Sequence, residues 1–210
     1  YAFCGSEVLT SVKIPDSVNK IGMAAFSNCS ALTTINLPDN LTSISSSLFW
    51  GCYALNSITI GKGVTSIRSD AFYDCKFLTA IEIPSTIASI GECAFQGCQN
   101  LEEINFNAIA MNDFEGNGSL FKNAGANSTI KVIIGKDVTK IPAYLFYTNS
   151  SSSSYPKITS VTISSTVETI GNYAFHNCTG LSKIYYNAIE CADLKSSTSF
   201  GNITSAEEGI

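Results

Sequence analysis

Phe3, Phe26, Phe49, Phe72 and Phe95 stand 23 residues apart, and the series continues through Phe121, Phe146, Phe175 and Phe200 at spacings of 26, 25, 29 and 25. Between these anchors the apolar positions repeat as A-F-x-x-C-x-x-L-x-x-I-x-I-P-x-x-V-x-x-I-G. In the unit starting at Ala25, Ile35 and Leu37 alternate with Thr34 and Asn36, the period-2 pattern of a strand with one inward face. The alternation predicts a short strand over Thr34–Leu37. Pro38 has no N–H for a continuing ladder and ends it. The same column holds Pro15, Gly61, Pro84, Asn107, Gly135, Ser164 and Asn187, nearly all turn formers. A second apolar pair follows: Leu41/Ile44 here, and Val18/Ile21, Val64/Ile67, Ile87/Ile90, Val138/Ile141 and Val167/Ile170 elsewhere. It predicts a return segment on the opposite side, after which the A-F-x-x-C piece makes a tight or helical turn back.

Units of 23 residues are too short to enclose a core alone, but stacked they can share strand hydrogen bonds and bury the Phe, Leu and Ile columns together. The pattern therefore predicts a repeat solenoid of about eight rungs forming a single array over 1–210. Longer rungs are expected at 98–123 and 178–202, two stretches that resemble each other at an offset of 80 and replace V-x-x-I-G by a polar loop after Asn-Ala-Ile. The Ser run within 149–156 reads as a loop, since the repeat resumes in phase at Ile158. Both ends of the chain fall mid-pattern, as if cut from a longer protein.

These columns resemble the BspA-type, or treponemal-type, leucine-rich repeat, and the likeness runs through essentially the whole chain. The resemblance implies a horseshoe with a parallel β-sheet on the concave face and short strands or turns on the convex side. It also implies a secreted or surface-anchored protein, with adhesion to host extracellular-matrix or surface proteins among the roles of some members. The departures are the two Asn-Ala-Ile rungs, the Ser run, and Ser6 in the Cys column of the first rung.

Composition narrows the partners. A net charge of −5 leaves no basic surface for a phosphate backbone, so nucleic acid is excluded as a ligand. No apolar stretch approaches the roughly 20 residues of a membrane-spanning helix. Few charges and many Ser, Thr and Asn residues fit an extracellular β protein.

Candidate chemistry is sparse. Cys29, Cys52, Cys75, Cys98 and Cys178 share one column with no second ligand type beside it, whereas zinc wants paired ligands backed by a second pair. Neighbouring rungs are close enough for a disulfide, yet side chains of one column point the same way, and a free Cys behaves as a small buried hydrophobe. The column is read as unpaired core, leaving Cys4, Cys93 and Cys191 as the reactive or paired candidates. His176 follows an anchor Phe, where other rungs place Ser27, Tyr73 or Gln96, and reads as a surface histidine. Glu102 and Glu103 are adjacent in a strand and face opposite ways, so they form no catalytic pair. Asp113–Ser119 alternates oxygen side chains like a calcium loop, but Ala124 stands where the bidentate Glu belongs, so it reads as a plain polar loop. No catalytic motif, cofactor site or metal site is expected. Sequons occur at Asn28, Asn40, Asn117, Asn127, Asn149, Asn177 and Asn202.

What remains is the outward face of the strands, predicted to form two columns. One runs Ser11, Thr34, Ser57, Ala80, Glu103, Lys131, Ser160, Lys183; the other runs Lys13, Asn36, Thr59, Glu82, Asn105, Ile133, Thr162, Tyr185. Solenoids bind on such surfaces. Glu82, Glu103, Asn105, Lys131, Ile133, Lys183 and Tyr185 are the candidate partner-binding residues, for a monomeric, non-enzymatic module that recognises a protein. The alternative is a passive spacer or stalk of a larger surface protein whose binding lies elsewhere.

Overall fold

The computed structural model describes residues 1–115, 120–147 and 155–186, together with the backbone of 207–209. Its long sheet begins with β1 (Ser11–Lys13), β2 (Thr34–Asn36) and β4 (Ser57–Thr59), all parallel. It continues through β6 (Ala80–Ile83), β8 (Glu103–Phe106), β9 (Ile130–Ile134), β11 (Ile158–Ile163), β13 (Lys183–Tyr186) and β14 (Glu207–Gly209), again parallel. At the seam between β4 and β6 the Thr79 N–H still donates to the Asn56 carbonyl at 3.4 Å. The return segments form two narrow parallel ladders of two-residue strands. One joins β3 (Ser43–Ile44), β5 (Ser66–Ile67) and β7 (Ser89–Ile90); the other joins β10 (Lys140–Ile141) and β12 (Thr169–Ile170). This is the repeat fold that the hydrophobic columns predict. Strand β2 stops at Asn36, one residue short of expectation, although the Leu37 N–H still donates to the Thr59 carbonyl of β4.

The core lies between these ladders. Leu32, Leu55, Leu78 and Leu101 are fully buried, as are the inward strand residues Ile81, Ile104, Val132 and Val161. The Phe rings stack along the array: Phe49 lies 5.5 Å from Phe72, Phe72 5.2 Å from Phe95 and Phe95 5.2 Å from Phe121, centroid to centroid. Every added rung thus covers both the strand edge and one ring face of the rung before it, which is how such arrays accumulate stability.

The A-F-x-x-C segment forms no helix. Each copy is a run of overlapping turns, in which the N–H groups one and three residues after the Phe donate back three residues, as in Trp50 to Ser47 and Cys52 to Phe49. The alternate N–H groups leave the turn. Ser47, Phe49 and Gly51 donate to the Ser69, Ala71 and Tyr73 carbonyls of the next rung, and Asp70, Phe72 and Asp74 to Glu92, Ala94 and Gln96. This geometry needs a left-handed residue on each side of the Phe. Two residues before it stand Ala24, Ser47, Asp70, Cys93, Tyr144 and Tyr173, all with φ between 52 and 60°. Two residues after it stand Asn28, Gly51, Asp74, Gly97, Asn123 and Asn177, with φ between 55 and 77°. The second column is all Gly, Asn and Asp, the residues that tolerate this region at least cost.

The rung at 98–123 differs. In place of a return strand, Asn107–Glu115 spans the gap between β7 and β10, with Met111 buried and the Asn112 N–H on the Ala88 carbonyl. Residues 116–119 of that rung, 148–154 of the Ser-rich loop and 187–202 of the second long rung lie outside the described residues.

Candidate functional site

The strand register brings the two outward columns together as predicted. Ser11, Thr34 and Ser57 are ladder partners, as are Lys13, Asn36 and Thr59. Ala80, Glu103, Lys131, Ser160 and Lys183 continue the first column, and Glu82, Asn105, Ile133, Thr162 and Tyr185 the second. Because a one-residue slip would turn the buried isoleucines outward, the core fixes this arrangement.

Chemistry changes along the face. Its first three strands present small hydroxyl and amide groups beside Lys13. In the middle, Glu82 and Glu103 are each held by an amide: Asn107 Nδ2 donates to Glu82 at 3.3 Å and Asn105 Nδ2 to Glu103 at 2.7 Å. Lys131 stands opposite Glu103 on the next strand. Farther on, Lys183 is exposed and Tyr185 is 41% exposed, while Ile133 is half-buried between Asn105 and Thr162. Glu102 precedes β8 and is exposed, whereas Glu103 is half-buried within the strand.

The cysteine column belongs to the interior. Cys29, Cys52, Cys75, Cys98 and Cys178 are fully buried and unpaired, and each thiol donates to the Phe carbonyl of the preceding rung: Cys52 to Phe26 at 3.1 Å, Cys75 to Phe49 at 3.2 Å. Burial, reinforced by the neighbouring Cys29, pushes the Cys52 thiol up to about 12, so these groups stay protonated at neutral pH. Cys4 is exposed and Cys93 half-buried, both unpaired; Cys191 lies outside the described residues.

His176 corrects the sequence reading. It is half-buried, stacked on Tyr147 at 5.5 Å and edge-on to Tyr173 at 5.3 Å, with Nδ1 buried and without a hydrogen-bond partner among the described residues. Burial lowers its pKa. The signal available in sequence was the aromatic content of its surroundings, Tyr144, Tyr147 and Tyr173, in the columns flanking two consecutive anchors.

Asp113, the first residue of the calcium-like stretch, has both oxygens engaged by protein. Oδ2 pairs with Lys140 Nζ at 2.8 Å and Oδ1 accepts the Ala143 N–H at 2.8 Å. Partial burial works against ionisation, but these two contacts outweigh it and hold the carboxyl below its usual range. The aspartate therefore fastens the spanning loop to the next rung. The middle of the stretch, Asn117 to Ser119, lies outside the described residues.

The model of the BspA type leucine rich repeat region matches residues 1–123 and 152–205 in 6 copies. The chain belongs to this family. Among solved structures, a leucine rich cell surface protein of Faecalibacterium prausnitzii is 20% identical with a TM-score of 0.51, the match covering 100% of this chain and 68% of that one. A leucine-rich repeat protein of Eubacterium ventriosum is 23% identical with a TM-score of 0.60, covering 94% and 60% respectively. At these identities the likeness concerns the fold of the BspA-type array. No curated protein sequence matches the chain.

Proposed function

We propose that this BspA-type array is a non-enzymatic, monomeric recognition module of a secreted or surface-anchored protein, and that it binds a protein partner through the outward face of its long sheet. The reading rests above all on the two outward columns, which the strand register carries across β1, β2 and β4 and, beyond the seam, across β6, β8, β9, β11 and β13. Membership in a leucine-rich-repeat family supports a protein partner, and the cell-surface relative from Faecalibacterium prausnitzii supports an outside location. We place the binding residues at Glu82, Glu103, Asn105, Lys131, Ile133, Lys183 and Tyr185, with Tyr185, Lys183 and Ile133 as the anchors. Aromatic and long cationic side chains give most energy per residue where water is excluded around them. A host extracellular-matrix or surface protein is the partner class, and adhesion is the role.

The test is binding of the purified array to a set of extracellular-matrix proteins by surface plasmon resonance. The triple variant Ile133→Ala/Lys183→Ala/Tyr185→Ala should lose at least about 10-fold in affinity for any partner found, as expected when interface anchors are truncated. Unchanged affinity would remove the sheet face from the binding site.

A further inference from the structure

A regular rung has no slack between its Phe anchor and its strand. Ile81 and Ile104 stand nine residues after Phe72 and Phe95, with Leu78 and Leu101 buried in between. Val132, the ladder partner of Ile104, stands eleven residues after Phe121, so this rung carries two extra residues ahead of β9. They emerge at the surface within residues 126–129. The backbone there is tied down: the Asn127 N–H donates to the Gln99 carbonyl at 2.9 Å and the Ser128 N–H to the Gly125 carbonyl at 3.0 Å. The Ser128 hydroxyl donates to the Leu101 carbonyl at 2.7 Å. Asn127 and Thr129 are exposed, and neither side chain has a hydrogen-bond partner among the described residues.

Asn127, Ser128 and Thr129 form a sequon, and its middle residue sets it apart from the other described ones. In the sequons at Asn28, Asn40 and Asn177 the middle residue is Cys29, Leu41 or Cys178, none more than 1% exposed. Asn40 also commits its Nδ2 to the Asp16 carbonyl at 2.6 Å, while Asn28 and Asn177 hold the left-handed turn position. Glycosyl transfer needs the Asn amide and the hydroxyl two residues on presented together to an enzyme. At those three places that would draw a core side chain out of its rung. Ser128 is half-buried and belongs to no buried column. Beside it opens a recess of about 520 Å³, lined by residues 126–129 with Glu102 and Lys157. Apart from Ala126 the lining is polar. The Lys157 ammonium donates to the Ala126 carbonyl at 2.6 Å and keeps further protons for a ligand.

We propose that Asn127 is an acceptor for N-linked glycosylation, taking a hexose-type sugar from a donor activated by a phosphate leaving group. The Asn127 amide nitrogen bonds to C1 of the sugar, the C1–O bond to the phosphate breaks with its electron pair, and one amide proton passes to a base of the transferase. The attached ring lies over the recess, where its hydroxyls donate to the Glu102 carboxylate and accept from Lys157. No core residue has to move. Such a group is bulky and hydrated, and at the entry to β9 it stands at the rim of the long sheet rather than on its outward columns.

The purified, folded array is incubated with UDP-glucose and a soluble N-glucosyltransferase that recognises N-x-S/T, and the modified asparagines are mapped by mass spectrometry. Each rate is divided by that of a short peptide spanning the same triplet. So normalised, Asn127 should react at least about 10-fold faster than Asn28, Asn40 or Asn177, where modification waits on local opening of the rung. Thr129→Ala, an exposed substitution, should abolish the product at Asn127 and leave the urea midpoint unchanged. Secretion from a host that transfers oligosaccharide from a lipid pyrophosphate tests the other class of donor by the same mapping. An unmodified Asn127 by both routes overturns the proposal. Equal normalised rates at the four asparagines, or a product at Asn127 that survives Thr129→Ala, overturn it as well.

Discussion

Phe72 is the most informative single residue to perturb. Its ring is fully buried and stacked on both faces, against Phe49 at 5.5 Å and Phe95 at 5.2 Å. Core Phe→Ala changes cost about 3–5 kcal/mol. Phe72→Ala belongs at the upper end, because two ring–ring contacts, each worth roughly 0.5–1.5 kcal/mol, are lost together. The cavity also cannot close, since the rungs on either side are held apart by their own ladders. Phe3 supplies the internal control: the same column, but 47% exposed and with one ring neighbour, Phe26 at 5.3 Å. About half its apolar surface is buried, so Phe3→Ala should cost about 1.5 kcal/mol. Urea unfolding followed by Trp50 emission measures both. If Phe72→Ala lost less than about 2 kcal/mol, or no more than Phe3→Ala, the stacked column would not be the source of the array's stability.

The thiols and the left-handed turn positions give further outcomes. In the folded array a thiol reagent at pH 8 should react rapidly with Cys4 and Cys93, while Cys29, Cys52, Cys75, Cys98 and Cys178 react only on unfolding; rapid labelling of Cys75 would refute the core reading. Burial raises the Cys52 pKa from an ordinary value near 9 to about 12. The unfolded chain therefore sheds protons first, and this contribution to stability is complete below pH 9 and is lost as pH rises toward 12. A pH-independent urea midpoint across that range would contradict it. Asn177 is buried with φ of 64°, so its sequon should stay unmodified in the folded protein, as read by mass spectrometry after expression in a glycosylating host. At the same site Asn177→Val should lose at least about 2 kcal/mol in urea unfolding, because a β-branched side chain is an outlier there.

Much of this architecture was legible because each rung repeats the same buried columns, and a fixed period leaves the register little freedom. Ile35, Ile58, Ile81 and Ile104 had to share a face, and that alone placed Glu82, Lys131 and Tyr185 on the other. The turns were harder. The Gly, Asn and Asp residues after each Phe did announce a left-handed position, but the column before it mixes Ala, Ser, Asp, Cys and Tyr, and nothing in those side chains requires positive φ. There the ladder between rungs sets the backbone and overrides local preference. Asp113 was read through its likeness to a calcium loop, since its partners Lys140 and Ala143 are 27 and 30 residues away in a rung that the loop bridges. His176 was read as exposed because its column tolerates exposure in other rungs; the two tyrosine-rich turns around it make the difference.

The turn edge has an electrostatic consequence. In a β-ladder, successive amides of a strand point to opposite neighbours and their dipoles largely cancel. Here the amides that leave each turn, such as those of Ser47, Phe49 and Gly51, all point toward the following rung, and the carbonyls they meet all point back. Their dipoles add from rung to rung, as along a helix axis. Between the Phe3 and Phe121 rungs this edge is thus polarised, its negative pole at the first rung and its positive pole toward the later ones. A rung can join that edge in only one sense.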